Sequence, residues 1–289
     1  MADHATPRFE RVKRQSIRLT ERDLLAVVAV YEARYLTARQ IGRLLFGRAN
    51  SSQARQRLRY LYDLDYLRKR VAGPNEPDIY YLGLEGRRYV AAQGLCERSR
   101  ADRLAGVSGE GVAAPALMMA HELTLGELYV SARLQCQQHG WTMEWKSARA
   151  LELERLGIQP DGWLCVDTTP VSDSAPHQEA FVEYTAAMPS ASEIKGKLAG
   201  YQAYWERTHN AAAVLWLTTN ERQVAGLLRM IRKSDYRDLF LVGLAEEAEA
   251  FLTAPIWHWG DANDPQSGSN RRGRGRVSWL QSDGLRTNP

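Results

Sequence analysis

From Leu19 onward the chain falls into apolar stripes separated by short polar breaks. Leu24, Val27, Val28 and Tyr31 recur at helical spacing, which predicts a helix from Thr20 to about Tyr35. Thr20 suits the N-cap, and Asp23 stands three residues later, at capping-box spacing. Thr37 caps a second helix, ARQIGRLLFG, ended by Gly47. Across 51–67, Ala54, Leu58 and Leu61 share one face, and Leu64 and Leu67 widen it. The opposite face carries Ser52, Gln56 and Arg59, with Gln53 and Arg55 at its edges. After Leu67 the period drops to two. Arg68, Lys69, Arg70 and Val71 and then Ile79, Tyr80, Tyr81 and Leu82 flank a turn holding Gly73, Pro74, Asn75 and Pro77, so a β-hairpin is predicted. A further helix over Leu84–Ala92 stops at Gly94.

Three helices with short connections, then a basic hairpin, form the order of a winged helix. In that architecture the third helix enters the major groove and the wing touches the backbone. Arginine, glutamine and serine are the side chains that reach base edges and phosphates. The expected DNA-binding residues are Ser52, Gln53, Arg55, Gln56 and Arg59 on the helix and Arg68, Lys69 and Arg70 in the wing.

Beyond the hairpin, residues 95–115 are rich in Gly, Ala, Ser and charge and read as a linker. A helix is expected from residue 116 to Gly140, then strands over 141–147, 163–169 and 180–186. A helix capped by Ser190 runs to about Glu206. The apolar run 212–218 reads as a buried strand, followed by a helix over 220–233 and a last strand near 239–244. The expected class is α+β: an N-terminal winged helix-turn-helix followed by an α/β domain. The domain expectation is a basic N-terminus over 1–17, a winged helix over 18–94, the linker over 95–115, the α/β domain over 116–260 and a disordered Gly/Arg-rich tail over 261–289.

Charge sharpens this division. Residues 1–100 hold 20 Lys and Arg against 11 Asp and Glu, a balance of +9. Residues 101–267 hold 13 against 22, or −9, and residues 268–289 hold 5 against 1, or +4. A basic head on an acidic body is the electrostatic footprint of a DNA-binding module attached to a body with another task. No run approaches the ~20 apolar residues of a membrane span, and the first residues lack the apolar stretch of a secretory signal. Cys96, Cys136 and Cys165 are isolated, with no metal-binding or disulfide spacing. A cytoplasmic protein is expected.

The body contains Pro160-Asp161-Gly162 and then Phe181-Val182-Glu183-Tyr184-Thr185. With a helix before and a helix and strand after, this order resembles the PD-(D/E)xK, restriction-endonuclease-like superfamily. The resemblance implies that Asp161 and Glu183 correspond to carboxylates that hold a divalent metal, and that a lysine two residues after the glutamate helps activate water. Thr185 stands at that lysine position; Lys195 and Lys197 lie on the following helix, with Lys197 nearer the buried stripe of Leu198, Tyr201 and Trp205. Glu122 and Glu127 on the preceding helix are further carboxylate candidates. The tryptophans Trp141, Trp145, Trp163, Trp205 and Trp216 sit in strand or helix patterns and are expected in the core.

Taken together, LTERDLLAVVAVYEARYLTARQIGRLLF, ARQRLRYLYDLDYLRKR and YYLGLEGRRYV, with AHELTLGELYV, PDGWLCV, FVEYT and KGKLAGYQAYW in the body, resemble the replication-relaxation family of plasmids, phages and integrative elements. The resemblance implies a DNA-binding protein linked to control of plasmid replication or transfer. The expectation built on it is a sequence-specific regulator of transcription, replication or transfer, acting on double-stranded DNA as a homodimer, with no cofactor and with the balance against catalysis. Two alternatives stand beside it. One is a metal-dependent DNA endonuclease with a winged-helix targeting domain, using Asp161, Glu183 and Lys197 and needing Mg²⁺. The other is an accessory protein that recruits a relaxase or replication protein.

Overall fold

The computed structural model describes residues 17–70, 77–96, 116–151, 153, 157–168, 177–259 and 276–280. The chain divides into two compact units, Met1–Val130 and Ser131–Pro289.

The first unit begins with α1 (Glu21–Ala33), whose N-cap Thr20 exchanges hydrogen bonds with Asp23 in a capping box. A two-residue strand, β1 (Leu36–Thr37), leads into α2 (Ala38–Phe46), also opened by a capping box, between Thr37 and Gln40. Gly47 ends α2 at φ 65°, the left-handed conformation that glycine adopts without steric cost. After α3 (Ser52–Asp63), strands β2 (Leu67–Arg70) and β3 (Ile79–Leu82) pair antiparallel, and α4 (Leu84–Ala92) follows. The sheet order is β1-β3-β2, so β1, absent from the sequence reading, pairs with the far side of the hairpin. Its two residues are too few to show a period, which is why the pattern missed it. The hairpin turn at 71–76, with Gly73, Pro74 and Asn75, lies outside the described residues, as do the basic N-terminus over 1–16 and most of the linker.

The buried face of α1 differs from expectation. Ala26, Val27, Ala29, Val30 and Ala33 are buried, while Leu24, Val28 and Tyr31 are half-buried and Leu25 is 49% exposed. Val27 and Val30 fill the contact beside small alanines that let neighbouring elements approach closely, and Leu24, Val28 and Tyr31 flank it. The helix also ends at Ala33, two residues earlier than expected, because Arg34 turns to φ 70°. On α3 the predicted stripe holds: Ala54, Leu58 and Leu61 are each about 1% exposed.

Helix α5 (Ala116–His139) contains the division between the two units. In the first unit, Arg34 pairs with Glu122 and Arg43 with Glu127, and Gln40 donates to the Leu123 carbonyl at 3.1 Å. A body beginning at residue 116 therefore differs from the observed division, since the first turns of α5 belong with the N-terminal unit.

The second unit is a six-stranded mixed sheet in the order β4-β5-β6-β7-β8-β9. Its strands are β4 (Thr142–Ser147), β5 (Gly162–Asp167), β6 (His177–Thr185), β7 (Ala213–Thr218), β8 (Phe240–Leu244) and β9 (His258–Trp259). The first three pair antiparallel; β6, β7 and β8 run parallel, joined through α6 (Ala191–Thr208) and α7 (Glu221–Ile231) as parallel neighbours require. All six residues of β7 are buried, the near-continuous apolar run of a strand covered on both faces. On one face Phe181, Val214, Trp216, Phe240 and Val242 pack with Ile194, Leu198, Tyr201 and Trp205 of α6 and Val224 and Leu227 of α7.

Strand β6 starts three residues before the predicted 180, where polar His177, Gln178 and Glu179 hide the strand signal. The short β9 was not predicted. Of the expected tail, residues 276–280 are packed: Val277 bridges Trp257, Trp279 is fully buried, and Arg276 pairs with Glu221 and Glu247. These residues lie inside the stretch expected as a disordered tail over 261–289, whose other residues lie outside the described ones; the arginine-rich sequence masks a buried tryptophan. Trp145, Trp205 and Trp216 lie in the core as expected, whereas Trp141 and Trp163 are half-buried.

Candidate functional site

Two groups of polar residues stand out, one in each unit. The first lies on α3. Ser51 caps the helix by accepting from the Ala54 amide at 3.1 Å. With Ala54, Leu58 and Leu61 turned inward, Ser52, Gln53, Arg55 and Gln56 are all exposed. Gln56 Nε2 donates to the Tyr60 hydroxyl at 3.0 Å. Arg59 is partly engaged, 3.0 Å from Asp63 and over the Tyr62 ring.

The hairpin cations differ from one another. Arg68 Nε lies 3.1 Å from Asp65 Oδ1. Arg70 is half-buried opposite Ile79. Lys69, expected among the DNA contacts, has a side chain only 6% exposed; its ammonium lies 3.6 Å from Asp78 and over the Tyr62 ring. Strand alternation turns it away from its two arginine neighbours, so it braces the hairpin against α3.

One residue of this region escaped the sequence reading. Arg57 donates through Nε to Asp23 at 2.8 Å, pairs with the same carboxylate through Nη2, and donates to the Arg18 carbonyl at 3.2 Å. The Asp23 side chain is 1% exposed. Burial acts to raise its pKa, but the Arg57 guanidinium and the two Thr20 donors outweigh it and hold the carboxyl below its ordinary value. The capping box accounted for Asp23 in sequence; its second partner, 34 residues on, leaves no local signal.

The second group surrounds Glu183. Gly162 pairs with Val182, so extending that register one step sets Asp161 across from Glu183. Asp161 Oδ2 accepts the Tyr184 amide at 2.8 Å. Glu183 is 1% exposed, and its two oxygens are taken by different residues of α6: Lys197 Nζ donates to Oε2, and the Tyr201 hydroxyl donates to Oε1 at 2.7 Å. Lys197 and Tyr201 are one helical turn apart, which brings both to one carboxylate. Burial pushes the Glu183 carboxyl up to about 7, with Lys197 acting against it and Asp161 adding to it. The Lys197 side chain is 40% exposed, so water reaches the cation but not the acid.

The other expected members are elsewhere. Lys195 is exposed. Thr185 is buried and accepts the Trp216 indole N–H at 2.8 Å, which gives this position a packing role. Glu122 and Glu127 pair with Arg34 and Arg43 of the first unit. A divalent cation needs carboxylate oxygens turned to a common point. Here both Glu183 oxygens and one Asp161 oxygen are engaged by protein donors, so the residues as arranged do not fit that ion. Among the described residues, no three His, Cys, Asp or Glu side chains are grouped for a metal. No helix of the described residues is long and apolar enough to cross a membrane.

The sequence matches the family model for replication-relaxation proteins over residues 28–215, from α1 into β7. Neither a curated protein nor a solved structure matches it. With that match extending over both compact units, the chain belongs to the replication-relaxation family.

Proposed function

We propose that this chain is a sequence-specific regulator that binds double-stranded DNA and controls replication, transcription or transfer of a plasmid, phage or integrative element. In this reading residues 18–94 form a winged helix-turn-helix, with α3 as recognition helix and β2–β3 as wing. Ser52, Gln53, Arg55, Gln56 and Arg59 meet base edges and nearby phosphates, Arg68 and Arg70 meet the backbone, and Lys69 holds the wing in place. The observation that carries it is the outward face of α3, where four polar side chains are exposed over the first turns of a helix capped and packed along its other side. The +9 balance of the first hundred residues supports it.

The body is then a degenerate restriction-endonuclease-like fold that serves self-association as a homodimer, or the recruitment of a replication or transfer protein, in the cytoplasm. Its catalytic alternative draws on one observation, the convergence of Asp161, Glu183 and Lys197. The lysine there pairs directly with the glutamate, where a working site holds a metal, and the reading without catalysis is favoured.

The test is a binding titration at fixed salt on a duplex selected from a random pool by the purified protein. Arg55→Ala and Gln56→Ala are each expected to weaken binding to that duplex by about 1–3 kcal/mol. Wild-type affinity in both variants would remove α3 from the interface.

A further inference from the structure

We propose that Arg18 and Arg22, at the entry to α1, form a second phosphate contact on the side of α3 opposite the wing. The inference rests on the DNA-binding reading and adds where the second DNA strand runs.

At about 100° per residue, Ser52, Gln56 and Arg59 form the outward crest of α3, and Arg57 and Tyr62 fall on its two opposite flanks. Each flank has a neighbour in the fold. On the Tyr62 side stands the hairpin, whose Lys69 ammonium lies 5.1 Å from the Tyr62 ring centre. On the Arg57 side stands the start of α1, fixed by the Arg57–Asp23 pair and by the Arg57 hydrogen bond to the Arg18 carbonyl. A helix in the major groove has a phosphate strand along each side. The wing serves one strand. The other passes the Arg57 side, where Arg57 itself is committed to a buried carboxylate.

Arg18 and Arg22 are the exposed cations there. The Arg22 guanidinium lies 5.1 Å from the centre of the Phe46 ring, at the end of α2, so its stem is laid along a fixed surface beside the turn into α3. That turn is itself tightly set: a Cβ on Gly42 would come within 2.6 Å of the Arg48 carbonyl oxygen. Glu21 is exposed in the same turn of α1, and Asp23 is neutralised by Arg57, which leaves the two arginines in excess. Arg57 is thus a positioning residue, and Arg18 and Arg22 are the contacts it sets in place.

The experiment uses the full chain and a mixed-sequence duplex, with binding measured across a salt series. Glutamine at both positions keeps a polar side chain and removes the charge. The Arg18→Gln, Arg22→Gln double variant is expected to unfold at the wild-type temperature and to lose about one unit of salt slope per contact. On a selected duplex it should keep the wild-type sequence preference, and ethylated phosphates on the strand across the groove from the wing should cease to interfere. An unchanged slope and interference pattern overturns the inference. If Arg55→Ala and Gln56→Ala still abolish sequence preference in that case, the DNA-binding reading stands without it. If they also change nothing, the DNA-binding reading falls.

Discussion

Glu183 carries the clearest consequence of a single residue's surroundings. Its carboxyl is raised to about 7 from an ordinary 4.5, so between these values the folded chain holds a proton that the unfolded chain has released. Stability contributed by this group therefore falls as pH rises from about 4.5 to about 7. Glu183→Gln removes the titration, and urea unfolding across that window should give a flatter profile for the variant, by up to about 3 kcal/mol. Parallel profiles would show that Glu183 is already ionised through the whole window. Asp23 acts in the opposite sense: held below its ordinary 3.8, it contributes stability above that pH and loses it as pH falls through the depressed value. Arg57→Ala strands this buried carboxylate and is expected to cost roughly 3 kcal/mol in the same unfolding assay. A loss under about 1 kcal/mol would mean that water replaces the guanidinium. Of these residues, Lys197 was legible beforehand because Leu198, Tyr201 and Trp205 fixed which way α6 faces. The Asp23–Arg57 pair was not, since periodicity places a residue on a face and does not say which distant face it meets.

At the scale of elements, capping and stripe patterns served best where one helix packed by one face. Thr20, Thr37 and Ser190 all cap the helices they were expected to open. Local chemistry sets such boundaries within a few residues of the signal, whereas β1 and β9 exist only through pairing partners far along the chain. The connection from α2 to α3 is likewise a matter of close approach. Gly42→Ala gains helix propensity of about 1 kcal/mol but drives a methyl group against the Arg48 carbonyl oxygen at 2.6 Å and the Ala49 carbonyl oxygen at 3.1 Å. The expected balance is a destabilisation of about 1–2 kcal/mol, read as a lowered unfolding temperature; a stabilised variant would show that the turn moves freely. The hairpin gives a contrast between neighbours. Lys69→Ala should leave the salt slope of DNA binding unchanged because its ammonium is directed at Asp78 and Tyr62. A slope lowered by about one unit would place Lys69 at a phosphate instead.

For the molecule as a whole, the charge division visible in the sequence corresponds to two compact units, but their division falls inside α5 and not in the Gly-rich stretch before it. Composition marks where a chain is polar; it does not register that Glu122 and Glu127 tie the first turns of α5 to α1 and α2. Asp161 and Glu183 stood out in the sequence as a carboxylate pair, while the saturation of the Glu183 oxygens by Lys197 and Tyr201 required the fold. Purified protein with Mg²⁺ or Mn²⁺ is accordingly expected to leave supercoiled, linear and single-stranded DNA intact. Metal-dependent cleavage that disappears in Asp161→Ala or Glu183→Ala would reverse that reading. Sequence recognition by α3 is tested most directly by selection of binding sites from a random duplex pool, with wild type compared against the Arg55→Ala, Gln56→Ala double variant. Wild type is expected to enrich one defined motif, arranged as an inverted repeat if the chain binds as a dimer, and the double variant to lose the enrichment while still binding mixed-sequence DNA. No enriched motif from wild type, or the same motif equally enriched by the double variant, would contradict it.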